Sequence, residues 1–277
     1  MTIRLGLIGD NIGRSRSPRL HCLAGALCGL QVSYEPLIPA DLGLGFDQVF
    51  ESCAMQGFRG LNITYPYKEK IVGQLRIDDG RVRAIGACNT VVFGGREPLG
   101  FNTDFSGFIA AFRQTFGNAR PGIVAMAGAG GVGKAIGFAL ASLGATELRL
   151  FDGDVPKAEA LARALRAAAP LMRVVVTASI AEAASGADGL VNCTPLGMVG
   201  HPGTAIPKPL TAGRRWAFDA VYTPVETEFL QDARTAGLEI MSGYELFFHQ
   251  GIDAFRIFSG REVDQAELRA ALGDGRA

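Results

Sequence analysis

A glycine cluster, GAGGVGKA at residues 128–135, is the feature that most constrains how this 277-residue chain folds. Its spacing, G-x-G-x-x-G, lies between an apolar strand candidate, IVAMAG, and a helix candidate, KAIGFALASLG. In such a unit the first glycine permits a tight turn, the second lets backbone approach a pyrophosphate, and the third lets helix and strand pack closely. Free N–H groups at the start of the helix then face the anion. The residues of this glycine loop expected to bind dinucleotide phosphates are Gly128, Ala129, Gly130, Gly131, Val132 and Gly133.

An acidic residue follows at the position where such a unit recognises the adenosine ribose. Asp152 ends the next strand candidate, ELRLFD. A carboxylate there accepts hydrogen bonds from the ribose hydroxyls, each worth about 1.5–3 kcal/mol, and repels a 2′-phosphate. Gly153 and Asp154 follow, with no arginine, so the sequence favours NAD and makes NADP the weaker alternative. Lys157 has two open interpretations: a contact to the ribose edge or a phosphate, or a solvated residue of the next helix.

Strand and helix candidates alternate along most of the chain. In the first hundred residues the strand candidates are 3–9, 32–38, 60–64 and 89–93. Strict alternation predicts parallel sheets with right-handed crossovers, and therefore the α/β fold class. We expect an N-terminal α/β substrate domain, residues 1–103, and a Rossmann-type, doubly wound dinucleotide-binding domain, residues 104–239. The helical end, from about residue 240 to 277, is expected to pack back on the first domain.

Composition excludes several classes of protein. Hydrophobic residues make up 48% and charged residues 19%, which allows a sizeable core. A formal net charge of zero argues against a general nucleic-acid or membrane-surface binder, and no run is long enough to span a membrane. The N-terminus lacks the apolar stretch of a signal peptide. The five cysteines are scattered and form no C-x-x-C pair, and the three histidines lack H-E-x-x-H spacing, so we expect no metal site. This use of cysteine favours a reduced, cytoplasmic protein.

Polar motifs occur at predicted strand ends, where open α/β sheets bind ligands. The first four are S-R-S-P (15–18), N-I-T-Y-P-Y-K (62–68), G-A-C-N-T (86–90) and G-F-N-T-D (100–104). Three more follow the glycine loop: N-C-T-P-L-G-M (192–198), D-A-V-Y-T-P (219–224) and F-F-H-Q, which ends at Gln250. In this order, and over almost the whole chain, the motifs resemble those of the shikimate dehydrogenase family, which includes the quinate/shikimate dehydrogenases.

The resemblance implies roles for individual residues. Lys68 and Asp104 are the catalytic pair it implies, and Thr194 and Gly243 join the glycine loop in binding the cofactor. It places a small hydroxylated cyclohexene or cyclohexane carboxylate in a groove between the two domains. The implied substrate-binding residues are Ser15, Ser17, Thr64, Asn89, Tyr222 and Gln250.

The chemistry of these side chains agrees with the resemblance. Oxidising a secondary alcohol requires a base that takes the hydroxyl proton while hydride leaves carbon, and a lysine amine can serve. Asp104 can orient that amine and the hydroxyl. Two serine hydroxyls suit a small carboxylate, while amide and hydroxyl groups can both donate to and accept from ring hydroxyls.

Structural interpretations stand beside the functional ones. Lys68 could be a solvated helix residue next to Glu69, and Asp104 a plain helix N-cap. Ser17 is a candidate N-cap with Pro18 at the first helical position, and Ser15 could be an ordinary loop residue. Asn89, Tyr222 and Gln250 could likewise have only structural roles. We interpret the three histidines as structural or incidental, and we see no base that would activate Cys193.

The segment after the second strand of the cofactor unit separates branches of the family. NADP-dependent members carry Asn-Arg-Thr there, whereas this chain has Asp-Gly-Asp and resembles the NAD-using quinate/shikimate branch. The alternatives are a dehydrogenase that prefers quinate or an aminated analogue, and an NADP-dependent biosynthetic shikimate dehydrogenase. Further alternatives are a dehydrogenase for another metabolite, such as a folate intermediate, and a non-catalytic NAD-binding regulator. A monomer or a homodimer is expected.

Overall fold

The structure is a computed structural model that describes residues 2–273. Within these residues it divides into two compact units: residues 2–103 together with residues 250–273, and Asp104–His249. Among residues 2–273, no helix combines the length and the apolar character needed to cross a membrane.

The first unit contains five strands. They are β1 (Thr2–Ile8), β2 (Gln31–Leu37), β3 (Gly60–Ile63), β4 (Thr90–Val92) and β5 (Leu99–Phe101). Its helices are α1 (Ser17–Leu27), α2 (Phe46–Met55), α3 (Gly80–Ile85), a 3₁₀ turn at Lys70–Gln74, and α10 (Gln265–Leu272). Two helices run from one unit into the other: α4 (Thr103–Phe116) and α9 (Gly243–Ser259).

The first sheet has the order β2-β1-β3-β4-β5 and is mixed. Strand β1 is parallel to β2 and β3, whereas β4 is antiparallel to both β3 and β5. The prediction of parallel sheets therefore holds for β1, β2 and β3 of this unit and is wrong for β4 and β5. Only six residues join β4 to β5, and a connection that short can pair neighbouring strands only in antiparallel fashion.

This topology gathers the predicted motifs of the first unit at one edge of its sheet. Because β1 and β3 are parallel, the segments that follow Ile8 and Ile63 leave at the same edge. Strand β4 runs the other way and pairs Thr90 with Asn62, so its beginning lies beside the end of β3. The loop with the serine pair, the N-I-T-Y-P-Y-K segment and Asn89 are thus neighbours.

The second unit contains six parallel strands. They are β6 (Ile123–Ala127), β7 (Glu147–Phe151), β8 (Arg173–Val176), β9 (Gly189–Asn192), β10 (Trp216–Asp219) and β11 (Glu239–Met241). Its other helices are α5 (Gly131–Ser142), α6 (Val155–Ala168), α7 (Ile180–Ala184), a 3₁₀ turn at Lys208–Leu210, and α8 (Glu228–Thr235).

The order of these strands, β11-β10-β9-β6-β7-β8, is that of a Rossmann-type sheet. The chain leaves β6 toward β7 and later returns to the other side of β6 at β9, so the topological switch point lies between β6 and β9. The two central strands are buried on both faces and consist almost entirely of apolar residues, as expected for a covered parallel sheet. The predicted Rossmann-type fold is confirmed.

Helix starts differ from the sequence predictions in ways that matter for the site. Helix α1 begins at Ser17, with Arg16 as its N-cap, so Ser17 is not the cap. Helix α4 begins at Thr103, which places Asp104 inside the first turn. The plain N-cap interpretation of Asp104 is therefore wrong.

Candidate active site

The two serines predicted to bind a carboxylate lie side by side in the loop after β1. Their hydroxyl oxygens are 3.2 Å apart, and both residues are half-buried. Between them, Arg16 donates to the backbone oxygen of Leu272 at the end of α10, over 3.0 Å. This contact ties the serine loop to a helix of the same unit, so the two hydroxyls are presented from an anchored backbone.

The segment that carries Lys68 is fixed to the end of β1. Thr64 donates its N–H to the oxygen of Ile8 over 2.9 Å, and the Tyr67 hydroxyl donates to Asp10 over 2.5 Å. That hydrogen bond, aided by burial, raises the pKa of Tyr67 to about 12. Lys68 itself is 8% exposed and lies in a turn before the 3₁₀ segment. The solvated-helix interpretation of Lys68 is therefore wrong.

Asn89 is the centre of a buried polar network in the first unit. Its side-chain oxygen accepts from the Thr103 N–H over 2.7 Å, and its amide nitrogen donates to the Thr103 hydroxyl over 3.0 Å. The Gln250 side-chain oxygen lies 3.5 Å from the same nitrogen. The structure thus brings together Asn89 and Gln250, which sequence reasoning had placed in the same site.

Sequence reasoning missed the residue beneath this network. Asn62, 7% exposed, donates to the Asn89 backbone oxygen over 3.2 Å and to the Thr90 hydroxyl over 3.1 Å, and accepts from the Tyr34 hydroxyl over 2.9 Å. The sequence did contain a signal for this residue, because Asn62 is a polar side chain within the otherwise apolar strand β3. His21 packs on the Tyr34 ring, and burial lowers its pKa to about 3, so it is neutral and structural.

The glycine loop in the second unit has the geometry that a dinucleotide requires. A Cβ on Gly128, where φ is +100°, would lie 2.7 Å from the Cys193 backbone, and one on Gly133 would lie 2.2 Å from the Gly128 oxygen. A Cβ on Gly130 would meet nothing within 4 Å. The first and third glycines therefore permit packing, while the second leaves the backbone open at the start of α5. These residues fit a pyrophosphate group.

Asp152 is joined directly to this loop. One carboxylate oxygen accepts from the Ala129 N–H over 2.7 Å, and the other accepts from the Asp154 N–H over 2.8 Å. Asp154 caps α6 by accepting from the Lys157 N–H, and the Lys157 amine lies 3.4 Å from the same carboxylate. Lys157 is exposed, as in the solvated-residue interpretation, and its ribose or phosphate contact stays a prediction.

A second feature missed by sequence reasoning is the fully buried carboxylate of Asp219 at the end of β10. It accepts from the Asn192 amide over 2.9 Å, the Val221 N–H over 3.0 Å and the Thr227 hydroxyl over 2.7 Å. Burial raises its pKa to about 6, although these three hydrogen bonds act in the opposite direction. The sequence signals were the polar first residues of D-A-V-Y and N-C-T.

The remaining predicted residues of the second unit lie in the segments that follow β9 and β10 and in the first turns of α9 and α4. Thr194 donates to Asn192 over 2.7 Å, and the Tyr222 ring stacks on Phe247 with centroids 5.1 Å apart. Gly243 begins α9 so close to the β10 turn that a Cβ would lie 2.4 Å from the Val221 oxygen. Burial, with smaller contributions from the charges of Asp219 and the buried Asp104, raises the pKa of the Cys193 thiol well above its usual value.

Comparison with known proteins agrees with this geometry. Residues 7–91 match the model of the shikimate dehydrogenase substrate binding domain. A shikimate dehydrogenase (NADP(+)) of Pseudarthrobacter chlorophenolicus is 40% identical over 96% of this chain and 92% of its own length. A quinate/shikimate dehydrogenase (NAD(+)) of Corynebacterium efficiens is 38% identical over 98% of both chains.

Solved structures give the same result for the fold. The structure of quinate dehydrogenase from Corynebacterium glutamicum in complex with NAD superposes with a TM-score of 0.89, at 36% identity and 98% coverage of both chains. The Thermus thermophilus shikimate 5-dehydrogenase, in complex with NADP(H) and shikimate, has a TM-score of 0.85 at 31% identity, again over 98% of both chains.

A pair of glycine substitutions separates packing from cofactor binding. We expect Gly130→Ala to keep the wild-type melting temperature but weaken NAD binding, because its Cβ meets only the space left open for the pyrophosphate. Gly133→Ala should lower the melting temperature, because its Cβ would overlap the Gly128 carbonyl. Differential scanning fluorimetry and calorimetric titration with NAD measure the two effects. Unchanged NAD affinity in the folded Gly130→Ala protein would contradict the assignment of the loop.

Proposed function

Because the chain belongs to the shikimate dehydrogenase family, whose members are oxidoreductases acting on CH–OH groups, we propose that it interconverts shikimate and 3-dehydroshikimate with NAD. Quinate and 3-dehydroquinate are the proposed second pair. The observation that carries the proposal is the arrangement of the first unit, where the segment with the buried Lys68, the serine pair and Asn89 occupy neighbouring positions at one sheet edge.

In the proposed mechanism the Lys68 amine takes the proton of the ring hydroxyl during oxidation and returns it during reduction. Bound NAD supplies the hydride acceptor. Burial at 8% exposure limits the access of bulk water to this amine, so that the proton is exchanged with the substrate. Asp104, the proposed partner, is a buried acid that orients the amine and the hydroxyl.

Substrate orientation is assigned to fixed polar groups. Ser15 and Ser17 donate to the ring carboxylate, which their adjacent hydroxyls can bind together. Thr64, Asn89, Gln250 and Tyr222 bind the ring hydroxyls. Asn62 holds the Asn89 backbone oxygen, and Thr103 holds both ends of the Asn89 side-chain amide, so the amide is oriented before the substrate arrives. The ring is thereby fixed with one alcohol toward the lysine.

The preference for NAD is assigned to Asp152. Each of its oxygens accepts one backbone N–H, and an ionised carboxylate has about four lone-pair positions, so acceptor capacity remains for the ribose hydroxyls. Its charge opposes a 2′-phosphate. This argues for NAD even though NADP-dependent enzymes are among the relatives.

A quinate-preferring enzyme is the second candidate. It is favoured by the structural similarity to the Corynebacterium glutamicum quinate dehydrogenase, with a TM-score of 0.89. Quinate carries an additional hydroxyl at the carbon that bears the carboxylate, so the serine loop and Tyr222 are where the two acids would be distinguished. An aminated analogue as substrate, a cytoplasmic location and a monomeric or homodimeric state remain proposals of the same kind.

Initial rates with a panel of substrates test the function. We expect NADH to form from shikimate and from quinate with NAD, and much less product with NADP, because of the acidic ribose site. Shikimate, quinate and their amino analogues are each assayed with both dinucleotides by reduced-cofactor absorbance. Failure of every acid to give reduced cofactor would contradict the proposal.

Lys68→Ala tests the proposed base. We expect kcat to fall by roughly 100- to 10,000-fold, the range usual for general acid–base groups, with little change in KM for shikimate. Lys70→Ala is the matched control, because Lys70 is an exposed neighbour whose amine pairs with Asp47 over 2.7 Å. Turnover near wild type in the Lys68 variant, or an equal loss in both variants, would reject the assigned role.

Asp152→Asn combined with Gly153→Arg tests the ribose assignment. We expect the ratio of kcat/KM for NADP to that for NAD to rise by about 10- to 150-fold, since a charge-assisted hydrogen bond is lost and a cation is added. Asp154→Asn, which retains a good helix N-cap, is the control and should change the ratio much less. An unchanged ratio in the double variant would show that the ribose binds elsewhere.

A further inference from the structure

We infer that Asp219 is a positioning residue for the dinucleotide: its buried carboxylate fixes the loop after β9, residues 193–199, against the glycine loop. We call residues 193–199 the β9 loop. The inference rests on the proposed dinucleotide-dependent function and goes beyond it, because Asp219 would act through Asn192 without touching cofactor or substrate. All residues involved belong to the second unit.

Asn192 transmits the effect of Asp219 to the β9 loop. Its amide nitrogen donates both to Asp219, over 2.9 Å, and to the Leu196 backbone oxygen, over 3.1 Å. Its side-chain oxygen accepts from the Thr194 N–H over 2.9 Å and from the Thr194 hydroxyl over 2.7 Å. The amide of Asn192 thus uses both donor hydrogens and accepts twice, and Asp219 fixes its orientation.

The same carboxylate also holds the turn that follows β10. The oxygen that accepts from Asn192 accepts from the Val221 N–H over 3.0 Å. A second link joins this turn to the β9 loop, since the Val199 N–H donates to the Thr223 oxygen over 3.1 Å. Asp219 therefore connects the loops that carry Thr194 and Tyr222, two of the predicted site residues.

The β9 loop in turn forms one wall of the glycine loop. Cys193 donates its N–H to the Ala127 oxygen over 2.7 Å, and the Gly128 Cα packs so tightly on Cys193 and Thr194 that a Cβ would lie 2.7 Å from the Cys193 backbone. Because no space separates the two loops, a shift of the β9 loop displaces the glycine loop as well.

A packing role alone does not account for an acid at this position. Among residues 2–273 the donors to Asp219 are an amide, a hydroxyl and a backbone N–H, with no cation, and burying a carboxylate in such surroundings costs stability. An apolar residue would fill the same volume without that cost, but it could not accept from Asn192 and Val221 at once. The carboxylate therefore serves to hold the β9 loop and the turn after β10 in fixed positions.

The test compares variants at both ends of the same sheet. We expect Asp219→Ala and Asn192→Ala to raise the Kd for NAD by about 5- to 150-fold, the range for loss of a buried hydrogen-bond partner. Amide hydrogen exchange in the β9 loop of the cofactor-free protein should become faster. Asp219→Asn should recover most of the affinity, because its amide oxygen can still accept from Asn192 and Val221 while its nitrogen faces Thr227.

Asp188→Ala is the control for general destabilisation. Asp188 precedes β9 at the opposite edge of the sheet and accepts from the Ile123 N–H over 2.8 Å. We expect a lower melting temperature with an unchanged Kd for NAD. If Asp219→Ala does not fold, Asn192→Ala decides the question. Wild-type affinity in the folded Asp219→Ala or Asn192→Ala protein, or equal weakening by Asp188→Ala, would overturn the inference.

The readouts also separate this inference from the proposed function. Calorimetric binding and hydrogen exchange need no turnover, so a wild-type protein that binds NAD but oxidises neither shikimate nor quinate would contradict only the substrate assignment. A wild-type protein that binds NADP in place of NAD would contradict the ribose assignment. The same variants compared with NADP would then still support or overturn the role of Asp219.

Discussion

The close approach of the Gly128 backbone to Cys193 and Thr194 is the contact on which the candidate cofactor site depends. At φ +100°, with no room for a Cβ, this position accepts only glycine without distortion. The contact joins the turn after β6 to the loop after β9, which are the two sides of the topological switch point. It leaves the start of α5 open at Gly130, so that backbone N–H groups can face an anion.

Both units stabilise their candidate sites by burying polar side chains at strand ends. In the first unit, Asn62 holds Asn89 through a backbone oxygen and the Thr90 hydroxyl. In the second, Asp219 holds Asn192 and the Val221 turn. Such groups are costly to bury unless every donor and acceptor is used, and when they are used the geometry is well defined. The hydrogen bonds thus fix these polar side chains in one orientation in the ligand-free structure, and a fixed orientation is what the positioning of a reacting alcohol requires.

Sequence reasoning recovered the parts of the fold that depend on local pattern. The glycine spacing, flanked by an apolar strand and a helix, predicted the Rossmann-type unit, and the order of the polar motifs predicted the family. Strand β5 was missed because three residues carry too little periodicity. The antiparallel pairing of β4 with β5 follows from the six-residue connection between them, a length that the alternation pattern does not take into account. The capping role given to Ser17 was wrong because Arg16, not Ser17, precedes the first helical residue.

Residues proposed to contact substrate or cofactor could be predicted from the sequence, whereas residues that only hold those side chains in place could not. Lys68 and Asp152 could be singled out by type and position, but the 8% exposure of Lys68 is a property of the folded unit that its sequence neighbours do not indicate. Asn62 and Asp219 were missed because their partners are distant in sequence, 27 residues away for both the Asn62–Asn89 and the Asp219–Asn192 hydrogen bonds. Supporting networks of this kind become visible only once the strand order is known.

A crystal structure of the protein with NAD and shikimate tests the central claim most directly. The account predicts that the pyrophosphate lies against Gly130 and the start of α5, that the adenosine ribose hydroxyls donate to Asp152, and that the Lys68 amine is within hydrogen-bond distance of the alcohol to be oxidised. A dinucleotide bound away from the edge between β6 and β9, or a Lys68 amine directed into bulk water in that complex, would contradict it.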